Sequence, residues 1–313
     1  MREWSDGVNE NRPCTYQSNR LRRAARVFTY HPLANVNHSN PKGTTEMIPA
    51  LLLRSAISGV MATLLYLLSA GIVSRYWTRT VSRSVLRHDV KLGLISLLFG
   101  SPVLQIFAWA AERYHFTRVY TDMGGHGWIY WAVSLPLYVM CWDAVFYLTH
   151  LVLHMPYVYR HSHYRHHSCR PPVPWSGIAI DPFETILSGI MPYTVPLFLF
   201  PFHIYTVYAL NIALMFWATW VHSSYNWKGN AVMLSPLDHN LHHHFGLRNS
   251  NFAAVFTFWD RIGNTLNRKV TPPWWGKAFW TPKGGATKVP TAGPDRTDEV
   301  MPEAAREMVA AAD

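Results

Sequence analysis

Histidine carries the chemistry of this sequence. Seventeen imidazoles stand in 313 residues, and most of them fall in three short clusters. His150 and His154 lie four apart in DAVFYLTHLVLH, a spacing that puts both rings on one face of a helix. In HSHYRHH, His163, His166 and His167 form a His-x-x-His-His triplet, and DHNLHHHF repeats it at His239, His242 and His243. A lone i, i+4 pair is expected by chance in a chain this rich in histidine and reads as two hydrogen-bonded core residues. A triplet that occurs twice does not arise so readily. Neutral imidazole suits iron, copper, zinc or nickel. Eight or nine such rings exceed one coordination shell, so two ions are expected, with binding that fails in acid as the rings protonate. His161 and His244 flank the triplets, either as bystanders or as further ligands. Asp143, seven residues before His150, stands near the same helical face, either orienting an imidazole or buried and hydrogen-bonded for structural reasons alone.

The elements that must bring these rings together are membrane spans. Charged residues make up 15% of the chain and hydrophobic ones 49%, against about 25% charged in an ordinary soluble domain. Apolar stretches run over about 47–73, 92–111, 128–148, 178–200 and 204–221, with hardly any charge inside. The third stretch ends at His150. The chain then crosses and returns through a turn at Pro201, Phe202 and His203, and the fifth stretch ends at His222, so every cluster reaches one face. The fold expected is all-α: a polytopic membrane helical bundle of two transmembrane hairpins plus an N-terminal membrane helix, with a cytoplasmic histidine-rich helical cap. Its divisions are a polar, Arg-rich segment 1–46, a membrane-embedded domain 47–281, and a flexible tail 282–313. Residues 1–46 show no cleavable signal pattern. The first stretch either crosses fully or lies re-entrant or in plane.

The net charge of +10 sits mainly in Arg20, Arg22, Arg23 and Arg26 and in a ladder at Arg75, Arg79, Arg83 and Arg87. A basic ladder beside apolar spans points to an anionic lipid surface and away from nucleic acid. Its four-residue repeat predicts an interfacial helix, and the positive-inside rule places that loop, with the histidine cap, on the cytoplasmic side. Cys14, Cys141 and Cys169 are too far apart for a disulfide framework or a thiolate site.

These residues resemble the membrane fatty acid hydroxylase and sterol desaturase superfamily, whose pattern is His-x-x-x-His followed twice by His-x-x-His-His. The flanking text is similar too: DAVFYLTHLVLH, YRHSHYRHH, VHSSYN, LSPLDHNLHH and FWDRIGNT. The resemblance is strongest over 143–266. It departs at Asn251, Phe252 and Ala253, where many members read Asn-Tyr-Gly, which bears on substrate rather than on metal. The resemblance implies a non-haem diiron centre, two iron ions with O2 as co-substrate. The implied ligands are His150, His154, His163, His166, His167, His239, His242 and His243, together with His222, which matches the family's extra histidine.

The implied reaction is hydroxylation of an unactivated C–H bond in a lipid or lipid-like substrate, with desaturation as the alternative within the superfamily. No catalytic residue beyond the ligands is assigned. Trp131, Tyr138, Trp142, Phe216, Trp217 and Trp220 are candidates to line the substrate's approach. No dinucleotide motif or thiolate cluster appears, so electrons are expected from a separate ferredoxin, cytochrome b5 or reductase-type protein; Arg160, Arg165, Arg170 and Arg248 form either its docking surface or a simply solvated face. A histidine-rich membrane metal transporter or metal-binding protein is the competing class. Transport would place ionisable residues along the spans, not at one end.

Overall fold

The computed structural model describes residues 42–77, 82–122, 124, 126–169, 171–223, 225, 227, 229–245 and 250–268. The arginines of the N-terminal segment, Arg79, Arg170, Arg248 and the tail from 282 lie outside the described residues.

Among the described residues, four helices are long and apolar enough to cross a bilayer: α1 (Lys42–Trp77), α2 (Arg83–Tyr114), α3 (Gly127–Leu153) and α4 (Ile204–Val221). Their outward faces are apolar and bare, as at Leu52, Leu98 and Val133. Only lipid makes such a surface stable. The chain is therefore a multi-pass integral membrane protein.

The arginine ladder does not build a helix of its own. Arg75 lies in the last turn of α1, while Ser82 caps α2 by accepting the Val85 N–H at 3.3 Å, so Arg83 and Arg87 belong to the first turns of α2. A serine cap restarts the helix there, and the periodicity that suggested one interfacial segment is shared between two spans. α1 and α2 pack as a hairpin. A Cβ on Gly93 would stand 2.9 Å from the Tyr66 hydroxyl, so the close approach of the two helices requires glycine. At the opposite end an exposed Arg54–Glu112 pair joins them at 2.9 Å, a contact of little energetic weight.

The fourth apolar stretch is broken at Pro192 and Pro196, as those prolines lead one to expect. It runs as Pro182–Glu184, a π-helical Thr185–Ile190, Met191–Thr194 and Pro196–Leu199. Pro192 and Pro196 lack the N–H that a continuous ladder needs, and the wider π turn absorbs the mismatch just before them. After Leu199 the chain pairs Phe202–His203 in parallel with Val119–Tyr120. Tyr130 donates to Pro201 O at 2.7 Å, and the Arg118 N–H donates to Leu197 O. The start of α3 and the turn before α4 thus share one end of the bundle, leaving the C-terminal ends of α3 and α4 at the other. Between these ends a core of Tyr138, Trp142, Leu197, Phe202, Val207 and Leu214 locks α3 against the irregular run and α4.

At the cap end, the short helix Pro174–Ile178 lies between α2 and α4. Tyr66 donates to Trp175 O at 2.7 Å, and the Ser176 hydroxyl donates to the buried Asp89 carboxylate at 2.7 Å. Gly177 meets the backbone of α4 so closely that a Cβ there would stand 2.8 Å from Ala218 O.

Candidate metal centre

Each histidine cluster rides on a different local structure. His150 is in the last turn of α3 and His154 caps its end. The first triplet occupies a 3-10 turn, His163–Ser168, entered from the short helix Pro156–His161. The second lies on α5 (Pro236–Phe245). Ser235 and Asp238 box the start of α5: the Asp238 N–H donates to Ser235 Oγ at 3.1 Å, and the Ser235 N–H donates to Asp238 Oδ2 at 3.0 Å. Arg268 clamps the same carboxylate with Nε at 2.8 Å and Nη2 at 2.7 Å, a charged two-pronged bond that fixes the register of α5.

All nine expected residues meet, and they sort into two buried groups. His150, His154, His163, His167 and His242 form one; His166, His222, His239 and His243 form the other. Each triplet is divided between them. The i, i+4 pair His163 and His167 faces the first group while His166 turns to the second; conversely, His239 and His243 face the second while His242 turns to the first. His161 is exposed, with its ring bonded to Tyr157 O, and neither it nor His244 joins a group.

The hydrogen bonds decide what the groups can hold. His150 Nδ1 donates to Phe252 O at 2.6 Å, His242 Nδ1 to Ser250 O at 2.8 Å, and His222 Nδ1 to Ala218 O at 2.6 Å. His163 Nδ1 meets the buried Glu184 Oε1 at 2.8 Å. A neutral ring that donates from Nδ1 carries a lone pair on Nε2. Yet His150 Nε2 stands 3.1 Å from His163 Nε2. His242 Nε2 is buried with no hydrogen-bond partner. Lone pairs facing one another in a dry pocket repel unless a cation sits among them. Within each group the donor atoms lie within 4.8 Å of one another, close to the roughly 4.2 Å across an ion with metal–nitrogen bonds of about 2.1 Å. The residues fit two metal ions.

Burial keeps the rings neutral. It pushes His166 and His222 down to about 3, and holds His163, His167, His239, His242 and His243 well below the ordinary imidazole range, with neighbouring rings adding to the effect.

Several residues support the site through the backbone, and of the two readings of Asp143 the structural one holds. Asp143 touches no imidazole. Its Oδ1 accepts the Ala254 and Val255 N–H groups at 2.8 and 2.9 Å, and its Oδ2 accepts that of Phe256 at 2.8 Å. Asp260, on α6 (Thr257–Ile262), accepts the N–H groups of Phe252 and Ala253 at 2.8 and 3.0 Å. The two carboxylates thus hold the stretch 252–256, whose Phe252 carbonyl anchors His150. Asn251 precedes it with φ at 56°, in the left-handed region that asparagine tolerates. Ala253 has no positive φ, so the departure from glycine there strains nothing. Glu184 had one signal: with Asp181 it is an acidic exception in an apolar stretch.

Of the aromatic candidates, Tyr138 and Trp142 are core residues, and Trp217 donates to Ala254 O at 2.7 Å. Trp131 is exposed, while Phe216 and Trp220 are half-buried on α4. Trp142 stacks on Phe146, whose ring in turn meets His150. Phe252 packs against the rings of His150, His154 and His242.

Comparison with known proteins places this geometry. Residues 135–265 match the family model for fatty acid hydroxylase. The Delta(7)-sterol 5(6)-desaturase of Leptosphaeria maculans is 27% identical over 188 residues, 58% of this chain and 52% of that protein. The Delta(7)-sterol 5(6)-desaturase erg31 of Schizosaccharomyces pombe is 30% identical over 195 residues, covering 61% and 64%. Lathosterol oxidase of Rattus norvegicus is 28% identical over 190 residues, covering 59% and 61%. The matched segments span between about half and two-thirds of the length of these relatives. No solved structure matches the chain.

Proposed function

This chain belongs to the fatty acid hydroxylase family of membrane oxidoreductases, and from that premise we propose that it uses O2 and two iron ions to hydroxylate an unactivated C–H bond of a lipid-like substrate. The observation that carries this reading is the sorting of nine buried imidazoles into two groups, with Nδ1 of His150, His163, His222 and His242 tied back to carbonyl or carboxylate oxygens. Iron bound there supplies the power to activate O2 and oxidise the C–H bond.

The chain's own residues do the rest. Carbonyls of Ala218, Ser250 and Phe252 hold protons on the outer nitrogens of their histidines, and Glu184 anchors His163, so the inner nitrogens stay available as ligands. Phe252 and Phe146 wall the first group against water, and the Trp142–Phe146 stack below His150 offers an apolar approach from the membrane. Residues 47–281 are read as the membrane-embedded catalytic body, between the polar segment 1–46 and the tail 282–313.

Arg75, Arg83 and Arg87 are exposed at the same end as the imidazoles, which supports a cytoplasmic metal site. Electrons are supplied by a separate electron-transfer protein, for which exposed Arg160 and Arg165 offer a basic surface. A metal transporter is disfavoured because, among the described residues, both imidazole groups lie at one end of the spans. Desaturation of a sterol-like ring is a second reading, favoured by what the named relatives act on.

Comparative lipid analysis of cells expressing the wild type or His242→Ala tests both. A product gaining one oxygen supports hydroxylation, and one losing two hydrogens supports desaturation. Full iron occupancy with undiminished product in His242→Ala would overturn the diiron assignment.

A further inference from the structure

The α1–α2 hairpin lies wholly before the family-matched segment, yet it carries a cavity of about 600 Å³. Its walls are Leu67 of α1, Leu94 and Leu98 of α2, and Trp175 of the cap, with Arg87 and Lys91 at one end. The lining is otherwise apolar. Arg87 and Lys91 are four residues apart, so both side chains lie on one face of α2. Both are exposed, and among the described residues neither forms an ion pair with a carboxylate. Asp89, two residues from each in sequence, is buried and occupied by His88 and Ser176.

The dimensions select the ligand. From Arg87 to Leu98 the helix rises about 16 Å at 1.5 Å per residue, which is about half of a 30 Å hydrocarbon core. The cationic end stands at the level of the cap, with Trp175 beside it where interfacial tryptophans sit, and the leucines lie deeper. A groove one leaflet long, positive at its outer end and greasy along its length, has the shape and charge of one phospholipid.

We propose that this groove is a binding site for an anionic glycerophospholipid of the leaflet at the cap end. The phosphate sits between Arg87 and Lys91, and an acyl chain lies along Leu94 and Leu98. The site tethers the hairpin to the cap, since Trp175 both lines it and accepts the Tyr66 hydroxyl. It does not rest on the oxidation chemistry, only on the protein's residence in a membrane.

The test uses the full chain, delipidated in mild detergent and titrated with dioleoyl phosphatidylglycerol or dioleoyl phosphatidylcholine, with bound lipid counted by native mass spectrometry. The wild type is expected to hold phosphatidylglycerol preferentially. At about fivefold in binding for each basic side chain near the lipid surface, Arg87→Gln with Lys91→Gln should weaken it roughly 25-fold and leave phosphatidylcholine unchanged. Arg83→Gln, exposed at the same end but outside the groove, should change nothing. Leu94→Trp, which fills the groove and keeps both charges, should also lose the lipid, and it decides the matter if the double variant fails to fold. Equal affinity for the two lipids, an equal loss in Arg83→Gln, or full binding in Leu94→Trp would each overturn the proposal.

Discussion

Replacing Asp143 should damage a metal site that it does not touch. Its carboxylate accepts three backbone N–H groups from residues 254–256, more than a hundred residues away in sequence. Asp143→Ala removes both acceptor oxygens and leaves three backbone donors without their partner. At about 1–3 kcal/mol for each orphaned group, the loss is on the order of 5 kcal/mol, which in a protein of this size lowers the midpoint of thermal unfolding by about 8 °C. Asp143→Asn is milder. Its amide oxygen can keep the Ala254 and Val255 bonds, while its NH2 confronts the Phe256 N–H, so one orphan at about 1–3 kcal/mol gives a drop of roughly 2–5 °C. The local consequence is more telling. The freed stretch includes Phe252, whose carbonyl orients His150, so the five-imidazole group should lose its ion before the four-imidazole group does. Thermal scans in detergent, combined with metal counts per polypeptide, check this. The expected outcome for Asp143→Ala is a content falling from two ions toward one, together with the lower midpoint. A variant as heat-stable as the wild type and still carrying two ions would refute the clamp.

Two further outcomes follow from the site. The metal-free protein should lose stability as pH falls below about 6.5. Unfolded histidines bind protons there, while His166 and His222, pushed down to about 3 by burial, stay neutral in the fold, so stability rises with pH across that window. Unfolding midpoints of the chelator-treated protein between pH 8 and 5 should decline; a flat profile contradicts the burial argument. Glu184→Gln should preserve the fold and both ions but change the spectroscopic signature of one iron only, because the Glu184 carboxylate holds His163, a member of the first group. Mössbauer spectra in which both irons shift equally, or neither shifts, would show that Glu184 has no such selective role.

The ligand candidates were legible because each cluster is local: a spacing of four, then three and four, is a statement about neighbouring turns. What holds them was not. Asp143 looked like a possible partner of His150 by helical phase, but its real partners arrive from residues 254–256, and no local pattern encodes a contact across that separation. The arginine ladder was misread for a related reason. Its period is genuine, yet the Ser82 cap divides it between two helices. In the stretch 178–200 the breaks at Pro192 and Pro196 were legible, whereas the π turn before them was not, since hydropathy says nothing of the hydrogen-bond ladder. Nor does either triplet reveal which ring crosses to the other group, since that depends on how the 3-10 turn and α5 dock.

The crossed sharing of rings between the triplets has a consequence for biosynthesis. Neither ion can find its complete set of nitrogens in a nascent chain that ends before His239, because the first group waits for His242 and the second for His239 and His243. The anchors Ser250 and Phe252 emerge from the ribosome later still. Loading is thus a maturation step that follows insertion of the last span, and cells starved of iron should accumulate full-length, membrane-inserted apoprotein rather than arrested fragments.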